Sequence, residues 1–198
     1  MNTLGHKLRV TVFGQSHAKA IGCVVEGLPA GFRPDMDRVA AFMARRAPGR
    51  DPWSTKRKEA DAPEILSGMV DGALCGAPLS AVIYNSDQHS KDYEGLRRTP
   101  RPSHADYTAW VKYGESYDIR GGGQFSGRLT APLCFAGALA LQLLEQRGVT
   151  VAGHIAAVAG AEDEAPDFAR VERSALLALA GKPFPVFSDR AGEAMGQA

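Results

Sequence analysis

The pattern of hydrophobic and polar residues predicts three short strands in the first half of the chain. Apolar and polar side chains alternate over residues 8–13, and a second apolar run follows at residues 21–26. Residues 79–84 give the next clear strand. A short polar turn, residues 14–20, joins the first two strands and carries a histidine.

Apolar residues at helical spacing predict two helices in the same part of the chain. Pro34 and Asp35 open the first helix, and the Ala-Pro-Gly sequence at residues 47–49 ends it. The strongest helix covers residues 130–147, with Thr130 as its cap and a proline in its first turn. We expect its apolar stripe to face the core. The stripe consists of Leu133, Ala136, Leu139, Ala140, Leu143 and Leu144.

The last quarter of the chain predicts a strand, an acidic loop and two more helices. The strand covers residues 149–158, and the acidic loop covers residues 161–166. Asp167 caps a helix that ends near Gly181. Another helical pattern opens within residues 188–198, and no stop signal follows it. We therefore expect the chain to break off inside a helix.

Composition places the chain among globular proteins that work in solution. It is 44% hydrophobic and 23% charged, with a formal net charge of +1. No apolar run approaches the roughly 20 residues of a membrane helix, and the N-terminus lacks the form of a signal peptide, so we expect neither. Three scattered cysteines, Cys23, Cys75 and Cys134, lie among small or apolar residues. They predict reduced buried thiols in the cytoplasm, with neither a disulfide framework nor a zinc site.

The polar turn at residues 14–18 (GQSHA) is the first candidate for chemistry. A histidine beside a glycine on a tight turn is well placed for proton transfer, because its unperturbed pKa lies near neutral pH. A plain surface histidine in a hairpin is the alternative. The segment also imitates the G-x-S-x-G elbow of serine hydrolases. That interpretation is disfavoured, because Ala18 replaces the closing glycine and the turn leads into a strand.

A basic stretch follows the first helix, on a loop that proline and glycine interrupt. Its cations are Arg45, Arg46, Arg50, Lys56, Arg57 and Lys58. A solvated helix end accounts for the first two only. The remaining four cations lie on the same loop as Trp53. They favour an anionic ligand that carries phosphate or carboxylate groups. Nucleic acid is the competing ligand, and the near-neutral net charge disfavours it.

A third segment combines cations with three successive glycines. Residues 86–124 hold few apolar residues, and so long a stretch without a core pattern predicts a functional role. The cations and histidine between residues 97 and 130 are Arg97, Arg98, Arg101, His104, Lys112, Arg120 and Arg128. Glycines 121–123 let backbone N–H groups approach a ligand closely ahead of the long helix. Together these residues predict a pocket for a multiply anionic substrate, with or without a phosphate-bearing cofactor.

At these residues the sequence resembles the chorismate synthase family. The resemblance covers almost the whole chain in seven motifs that occur in the family's order. They are residues 13–17 (FGQSH, family F-G-E-S-H), 26–31 (EGLPAG), 45–49 (RRAPG), 85–88 (NSDQ), 101–107 (RPSHADY, with KYG following at 112–114), 120–123 (RGGG) and 125–132 (FSGRLTAP, the form of one branch).

The resemblance implies a lyase with an α+β fold in which helices are sandwiched between antiparallel sheets. The family converts 5-enolpyruvylshikimate 3-phosphate to chorismate and phosphate with reduced FMN and no net redox change. By position, His17 is implied to protonate or hold the flavin, and His104 to assist the departing phosphate. Arg46, Arg101 and Arg128 match substrate-binding arginines. The flavin-contacting stretch falls on Gln124, Phe125 and Ser126, and Arg46 also matches an NADPH contact of bifunctional members.

Further expectations follow from the same resemblance: a cytoplasmic homotetramer that binds neither nucleic acid nor membrane. The sequence departs from the family pattern at several positions, and Arg50 does not align with the family's next arginine. Gln15 replaces a glutamate, Ala18 a glycine, and Gln124 an arginine or histidine. The resemblance covers residues 1–198 as the N-terminal part of the domain, and we expect this chain alone to be inactive and poorly folded. The rival interpretation is a catalytically inactive remnant that only binds a ligand or pairs with another subunit.

Overall fold

The computed structural model describes residues 2–47, 60–86, 99–164 and 166–198. The chain divides into two compact units, Met1–Gln142 and Leu143–Ala198. Most of the basic loop predicted at residues 50–61, and residues 87–98 of the segment at 86–124, lie outside the described residues.

The first unit contains a five-stranded antiparallel sheet and a small hairpin. Its strands are β1 (Thr3–Leu4), β2 (Arg9–Gly14), β3 (Ala20–Glu26), β4 (Glu64–Ser67), β5 (Met69–Val70), β6 (Ala73–Leu74) and β7 (Leu79–Tyr84). The sheet order is β1-β2-β3-β7-β4, and β5 pairs with β6 in the hairpin. The three predicted strands are confirmed within one residue at each end, whereas β4 to β6 carried no clear alternation.

Alternation along β3 and β7 explains which face of the sheet is buried. Ile21 pairs with Ile83 and Cys23 with Ala81, and all four side chains are buried because every second residue points to the same face. Burial raises the pKa of the Cys23 thiol to about 12, so this cysteine is an inert core residue. Cys75 is exposed, contrary to the expectation of three buried thiols.

Helix α1 (Met36–Arg46) starts where the sequence predicts. Asp35 caps it: one carboxylate oxygen accepts from the backbone N–H groups of Asp37 and Arg38, both at 3.0 Å. Gln142 holds the same cap from another helix, accepting from the Asp35 N–H at 2.8 Å and donating to its carbonyl at 3.0 Å. The start of α1 is thereby fixed in place.

Helix α2 (Asp106–Tyr113) occupies the part of the chain that showed no core pattern. Its Ala109 packs in a small cluster with Tyr117 and Ile119. The other hydrophobic residues of α2 are largely exposed, and this is why the segment lacks a helical pattern. Polar residues 86–124 therefore include an ordered helix, which the sequence analysis missed.

Helix α3 (Thr130–Glu145) confirms the strongest prediction but not its details. Phe135 and Leu139 are fully buried, whereas Leu133, placed on the predicted core stripe, is 40% exposed. The Thr130 hydroxyl does not act as the cap. It donates to the carbonyl of Gly127 at 2.6 Å. Apolar residues lie on every side of α3, so the period alone could not identify the buried face.

The run of helical residues Arg120–Glu145 is long and apolar enough to cross a membrane by length and composition. Its first part, however, consists of short 3-10 turns, and α3 proper is a core helix of 16 residues. Core helices pass the same test of length and composition. The absence of a membrane-spanning segment stays a prediction.

The second unit differs most from the prediction. Its elements are β8 (Ala157–Val158), β9 (Ala161–Glu162), α4 (Arg173–Leu179) and α5 (Asp189–Gln197). Of the predicted strand at residues 149–158, only the last two residues form a strand. The valines at 149 and 151 are exposed, so they supply no buried face for a longer strand. Asp167 does not cap α4, which begins six residues later. The predicted helix near the end is confirmed, and its Met195 is buried.

The fold is a mixed α+β structure with an antiparallel sheet and helices, as expected in outline. One sheet of more than two strands is present among the described residues. An arrangement of helices sandwiched between two such sheets stays a prediction.

Candidate functional site

The candidate site is built around the three successive glycines that follow Arg120. Gly121, Gly122 and Gly123 have φ values of 58°, 85° and 57°. These left-handed conformations cost little for glycine and more for residues with a Cβ atom. The Ser16 N–H donates to the carbonyl of Gly123 at 3.1 Å, and the Tyr117 hydroxyl donates to that of Gly122 at 3.0 Å. The glycine loop is thereby attached to the turn that carries His17.

Both predicted catalytic histidines lie against this glycine loop. A Cβ atom on Gly121 would approach Nδ1 and Cε1 of His17 to 2.4 Å. One on Gly122 would approach Cε1 and Nε2 of His104 to 2.9 Å. Consecutive Cα atoms are about 3.8 Å apart, so the two rings border the same short piece of backbone. Residues that are 87 positions apart in sequence are brought together where the sequence analysis predicted a pocket.

The tight fit around Gly121 gives a testable prediction. We expect Gly121→Ala to displace the His17 ring and to destabilise the protein by more than the roughly 1–2 kcal/mol of left-handed strain alone. Gly148→Ala is the matched control, since Gly148 also has a positive φ of 73° but no atom within 4 Å of a Cβ. Urea unfolding and the NMR signals of His17 measure both effects. Equal losses of unfolding free energy in the two variants would contradict the close contact between Gly121 and the His17 ring.

His104 is held by the first residue of α2. Its Nδ1 lies 2.7 Å from Oδ1 of Asp106, and that carboxylate also accepts from Nε and Nη2 of Arg101 at 2.7 and 2.9 Å. Asp106 is buried, and its Oδ2 further accepts from the Arg101 N–H at 3.1 Å. Ser103 adopts a left-handed φ of 58°, which turns the chain between the arginine and the helix. The sequence analysis predicted roles for Arg101 and His104 but none for Asp106.

Hydrogen bonds from Arg101 lower the pKa of Asp106 to about 2, against 3.8 for a free aspartate. The pKa of Asp106 is lower in the folded protein than in the unfolded one. The ionised carboxylate therefore stabilises the fold above pH 4, and this contribution is lost as the pH falls to about 2. The shift corresponds to about 2 kcal/mol. We expect the free energy of unfolding in urea to fall between pH 5 and pH 2.5, and to fall less in Asp106→Asn. An identical fall in the variant would contradict this assignment.

A second charged pair lies beside His17. Arg120 donates to Asp118 from Nε and Nη2, both at 2.9 Å, and these bonds lower the pKa of the Asp118 carboxyl. His17 contributes to the same shift, although less than Arg120 does. His17, itself buried, therefore lies within the electrostatic reach of a carboxylate.

Asn85 connects the His17 turn to Arg128. Its side-chain amide donates to the carbonyls of Gln15 and Ala18 at 3.1 and 2.8 Å, and its oxygen accepts from Nε of Arg128 at 3.0 Å. The sequence analysis placed Asn85 in a motif without a role. The structure shows that it fixes both ends of the turn around His17.

Asp61 is a buried carboxylate that joins two of the predicted arginines. It accepts from Nη1 of Arg46 at 2.5 Å through one oxygen and from Nη1 of Arg128 through the other. Arg46 also donates to Thr130 Oγ1 and to the Gly127 carbonyl, both at 3.2 Å. The sequence analysis gave no indication of Asp61, because a single aspartate in a polar stretch carries no pattern.

The three predicted substrate-binding arginines differ in accessibility. The exposed fractions of the side chains are 33% for Arg101, 23% for Arg46 and 3% for Arg128. Each already pairs with a buried carboxylate, Asp106 or Asp61. Arg101 and Arg46 therefore retain a surface toward solvent, whereas Arg128 lies inside the protein.

Two of the three residues predicted to contact flavin lie at an open cavity of about 270 Å³. Gln124 and Ser126 line it, with Asn2, Leu4, Val12, Gly14, Leu129, Thr130 and Leu133. Phe125 lies beside Tyr113 and Tyr117, at centroid distances of 6.4 and 6.0 Å. Apolar walls with a few polar groups suit part of a flavin ring, but the described residues that line this cavity include no cation for a phosphate. The described lining therefore fits the ring and leaves the FMN phosphate without a partner there.

The second unit contains a separate histidine–aspartate pair. His154 Nδ1 lies 2.9 Å from Asp163, which also accepts from the N–H groups of Phe187 and Ser188 at 2.7 and 2.9 Å. Burial alone would raise the pKa of Asp163, but these hydrogen bonds lower it. No predicted site residue lies in this pair. His154 and Asp163 can therefore be used as a control for the similar pair formed by His104 and Asp106.

Comparison with known proteins agrees with the motifs and the fold. The family model for chorismate synthase matches residues 8–197. Chorismate synthase from Lancefieldella parvula is 42% identical over 203 residues, which is 97% of this chain and 53% of that protein. The enzyme from Archaeoglobus fulgidus is 47% identical over 180 residues, 89% of this chain and 49% of that protein.

A solved structure shows the same fold at low sequence identity. A crystal structure of chorismate synthase matches with a TM-score of 0.69 and 21% identity, over 97% of this chain and 52% of that one. The chain spans about half the length of the curated relatives that it matches. The chain belongs to the chorismate synthase family, and it covers the N-terminal half of the full-length members.

Proposed function

We propose that the chain provides the two-histidine part of a chorismate synthase active site. The reaction is the anti-1,4-elimination of phosphate from 5-enolpyruvylshikimate 3-phosphate to give chorismate. The observation that carries the proposal is the approach of His17 and His104 to adjacent glycines of one loop. Two histidines beside the same backbone segment suit an elimination. One of them can give a proton to the leaving group while the other is held close to it.

His104 assists the departing phosphate in this proposal. The carbon–oxygen bond breaks with its electron pair on the phosphate, and His104 donates a proton to that oxygen. On the opposite face of the substrate a C–H bond breaks, its proton passes to a base on that face, and its electron pair forms the new double bond of the product. Arg101, beside His104, stabilises the negative charge that grows on the phosphate.

His17 faces the cofactor in this proposal, and Gln124, Phe125 and Ser126 supply part of the surface for it. Reduced FMN, when bound, supplies electron density to the substrate without net redox change. The buried ring of His17, held between Gly121 and the turn that Asn85 fixes, holds a proton toward the flavin. NADPH binding at Arg46 and assembly into a cytoplasmic homotetramer belong to the same proposal by family membership.

The different exposure of the three arginines predicts different effects on ligand binding. We expect Arg101→Ala and Arg46→Ala to weaken binding of 5-enolpyruvylshikimate 3-phosphate by about tenfold to a hundredfold, since a charge-assisted contact contributes roughly 1.5–3 kcal/mol. Arg128→Ala should act mainly by lowering stability, because its side chain is 3% exposed. Calorimetric titration and urea unfolding separate the two effects. Binding within twofold of wild type for Arg101→Ala and Arg46→Ala would contradict the proposed anion site.

The function is tested by incubating the chain with 5-enolpyruvylshikimate 3-phosphate and reduced FMN under anaerobic conditions. Completed by the C-terminal half that the full-length relatives contain, the chain should form chorismate and phosphate in equal amounts, whereas the chain alone should form neither. Phosphate release without chorismate would identify a phosphatase and contradict the proposal. Chorismate formation that is unchanged without FMN would contradict the proposed cofactor.

A binding module without activity is the second candidate, and the half-length match to relatives favours it. Such a module keeps the anion site and lacks the rest of the catalytic surface. Calorimetry then shows saturable binding of the phosphorylated substrate while no chorismate forms. Turnover in the anaerobic assay would exclude this candidate.

A further inference from the structure

We propose that Asp106 is a positioning residue that fixes His104 with a proton on Nδ1 and with Nε2 toward the glycine loop. The inference rests on the proposed role of His104 and adds the group that sets its tautomer and orientation. Asp106 does not touch the reacting atoms in this account. It acts through the imidazole ring.

The short contact between the two side chains requires a proton between them. Nδ1 of His104 lies 2.7 Å from Oδ1 of Asp106. An unprotonated nitrogen would direct a lone pair at a carboxylate oxygen over this distance, and the two would repel each other. The arrangement is stable only if Nδ1 carries the proton and donates it to Asp106.

Arg101 fixes the carboxylate so that the ring has one orientation. The guanidinium donates to both oxygens of Asp106, at 2.7 and 2.9 Å, and the Arg101 N–H adds a third bond at 3.1 Å. A carboxylate held by three donors at the first turn of a helix cannot rotate to follow the ring. His104 must therefore adapt to Asp106, and not the reverse.

The opposite end of the ring is consequently directed at the glycine loop. Nε2 and Cε1 are the atoms that a Cβ on Gly122 would meet at 2.9 Å. Nη2 of Arg101 lies beside the ring, 3.3 Å from Nδ1 and 3.4 Å from Nε2. With Nδ1 committed to Asp106, Nε2 is the nitrogen that can exchange a proton with a substrate. A carboxylate that orients an imidazole and selects its tautomer is a known device in hydrolytic triads. Here the device is formed within six residues, Arg101 to Asp106, by the turn at Ser103.

The tautomer of His104 can be measured in the folded chain without turnover. Two-bond ¹H–¹⁵N correlation spectra distinguish the two neutral forms of each histidine, and His104→Gln identifies the His104 signals. We expect the Nδ1–H form to be favoured about tenfold or more in the wild type, as a charge-assisted hydrogen bond implies. A wild-type His104 that is mainly in the Nε2–H form would overturn the proposal, whether or not any variant folds.

Asp106→Asn extends the test. Arg101 should retain the amide oxygen, so the amide NH₂ faces Nδ1 and reverses the tautomer of His104. Asp163→Asn is the matched control, because Asp163 is buried beside His154 in the same way. It should change the His154 signals and leave those of His104 unaltered. An unchanged His104 tautomer in a folded Asp106→Asn would overturn the assignment.

Turnover separates this inference from the proposed function. In the anaerobic assay, Asp106→Asn should lower kcat by about a hundredfold or more, with KM nearly unchanged. If His104 has the expected tautomer but His104→Gln keeps full activity, the assignment of Asp106 is supported and the catalytic role of His104 is overturned. A kcat in Asp106→Asn equal to that of wild type, with the tautomer reversed, would overturn the positioning role.

Discussion

Replacing His104 by glutamine in a full-length version of the protein should lower the rate of chorismate formation by about 100- to 10,000-fold, the range of general acid catalysis. Glutamine keeps a similar size and can still contact Asp106, but its amide is too weak an acid to transfer a proton to the departing phosphate. Binding of the phosphorylated substrate should remain near that of wild type, because Arg101 keeps its place beside Asp106. Initial rates of phosphate release and calorimetric titration measure the two quantities.

Two other histidines provide controls for this variant. His154 is paired with an aspartate in the second unit, and His6 is exposed in the first. Neither lies in the proposed site, so His154→Gln and His6→Gln should retain activity once any loss of stability is allowed for. A fall in kcat of less than threefold for His104→Gln would contradict its role, given that general acid catalysis contributes at least about 100-fold.

Replacing Asp61 by asparagine should destabilise the protein by about 3–5 kcal/mol, because it leaves two guanidinium groups without their common carboxylate. The Arg128 side chain is 3% exposed, so water cannot replace the lost partner. Domains are stable by only about 5–15 kcal/mol, and the midpoint of thermal unfolding should fall on the order of 10 °C. The ends of the His17 turn should loosen too, since Asn85 joins Arg128 to them.

Glu26→Gln is the matched control for Asp61→Asn. It removes the exposed ion pair between Arg9 and Glu26, at 2.9 Å, and should cost no more than about 1 kcal/mol. Urea unfolding of both variants gives the comparison. Losses that agree within 1 kcal/mol would show that the Asp61 network contributes no more than an ordinary surface pair.

Much of the sheet and both histidines could be predicted from the sequence because their patterns are local. Residues 79–84 are a short, mostly apolar run of strand length, and they form β7. Asp35 precedes apolar residues at helical spacing, and this pattern correctly predicted where α1 starts. The glycines at 121–123 and the histidines at 17 and 104 were recognised by chemistry and resemblance, and the structure brings them together.

The carboxylates of the site could not be predicted, because their role depends on residues that are distant in sequence. Asp61 is 67 positions from Arg128, and no local pattern marks it as buried. Asp106 lies within a recognised motif, yet only the fold shows that it faces both Arg101 and His104. Whether a charged side chain is buried depends on the tertiary structure. Composition and the spacing of apolar residues therefore do not predict it.

Two departures from the family pattern have small structural consequences. Gln15 and Ala18 stand in place of a glutamate and a glycine in the resembling motif, and both contribute backbone carbonyls to Asn85. The turn is fixed through those carbonyls, and they are present whatever the side chain. The positioning of the His17 turn by Asn85 therefore does not depend on the replaced side chains.

The central claim is that His17 and His104 belong to one ligand site on the glycine loop. Titration with 5-enolpyruvylshikimate 3-phosphate in the presence of reduced FMN, followed by the side-chain NMR signals of the assigned histidines, tests it most directly. We predict that the signals of His17 and His104 shift together, with the same saturation, while those of His154 in the second unit stay in place. Saturable binding that shifts only one of the two, or neither, would contradict the claim.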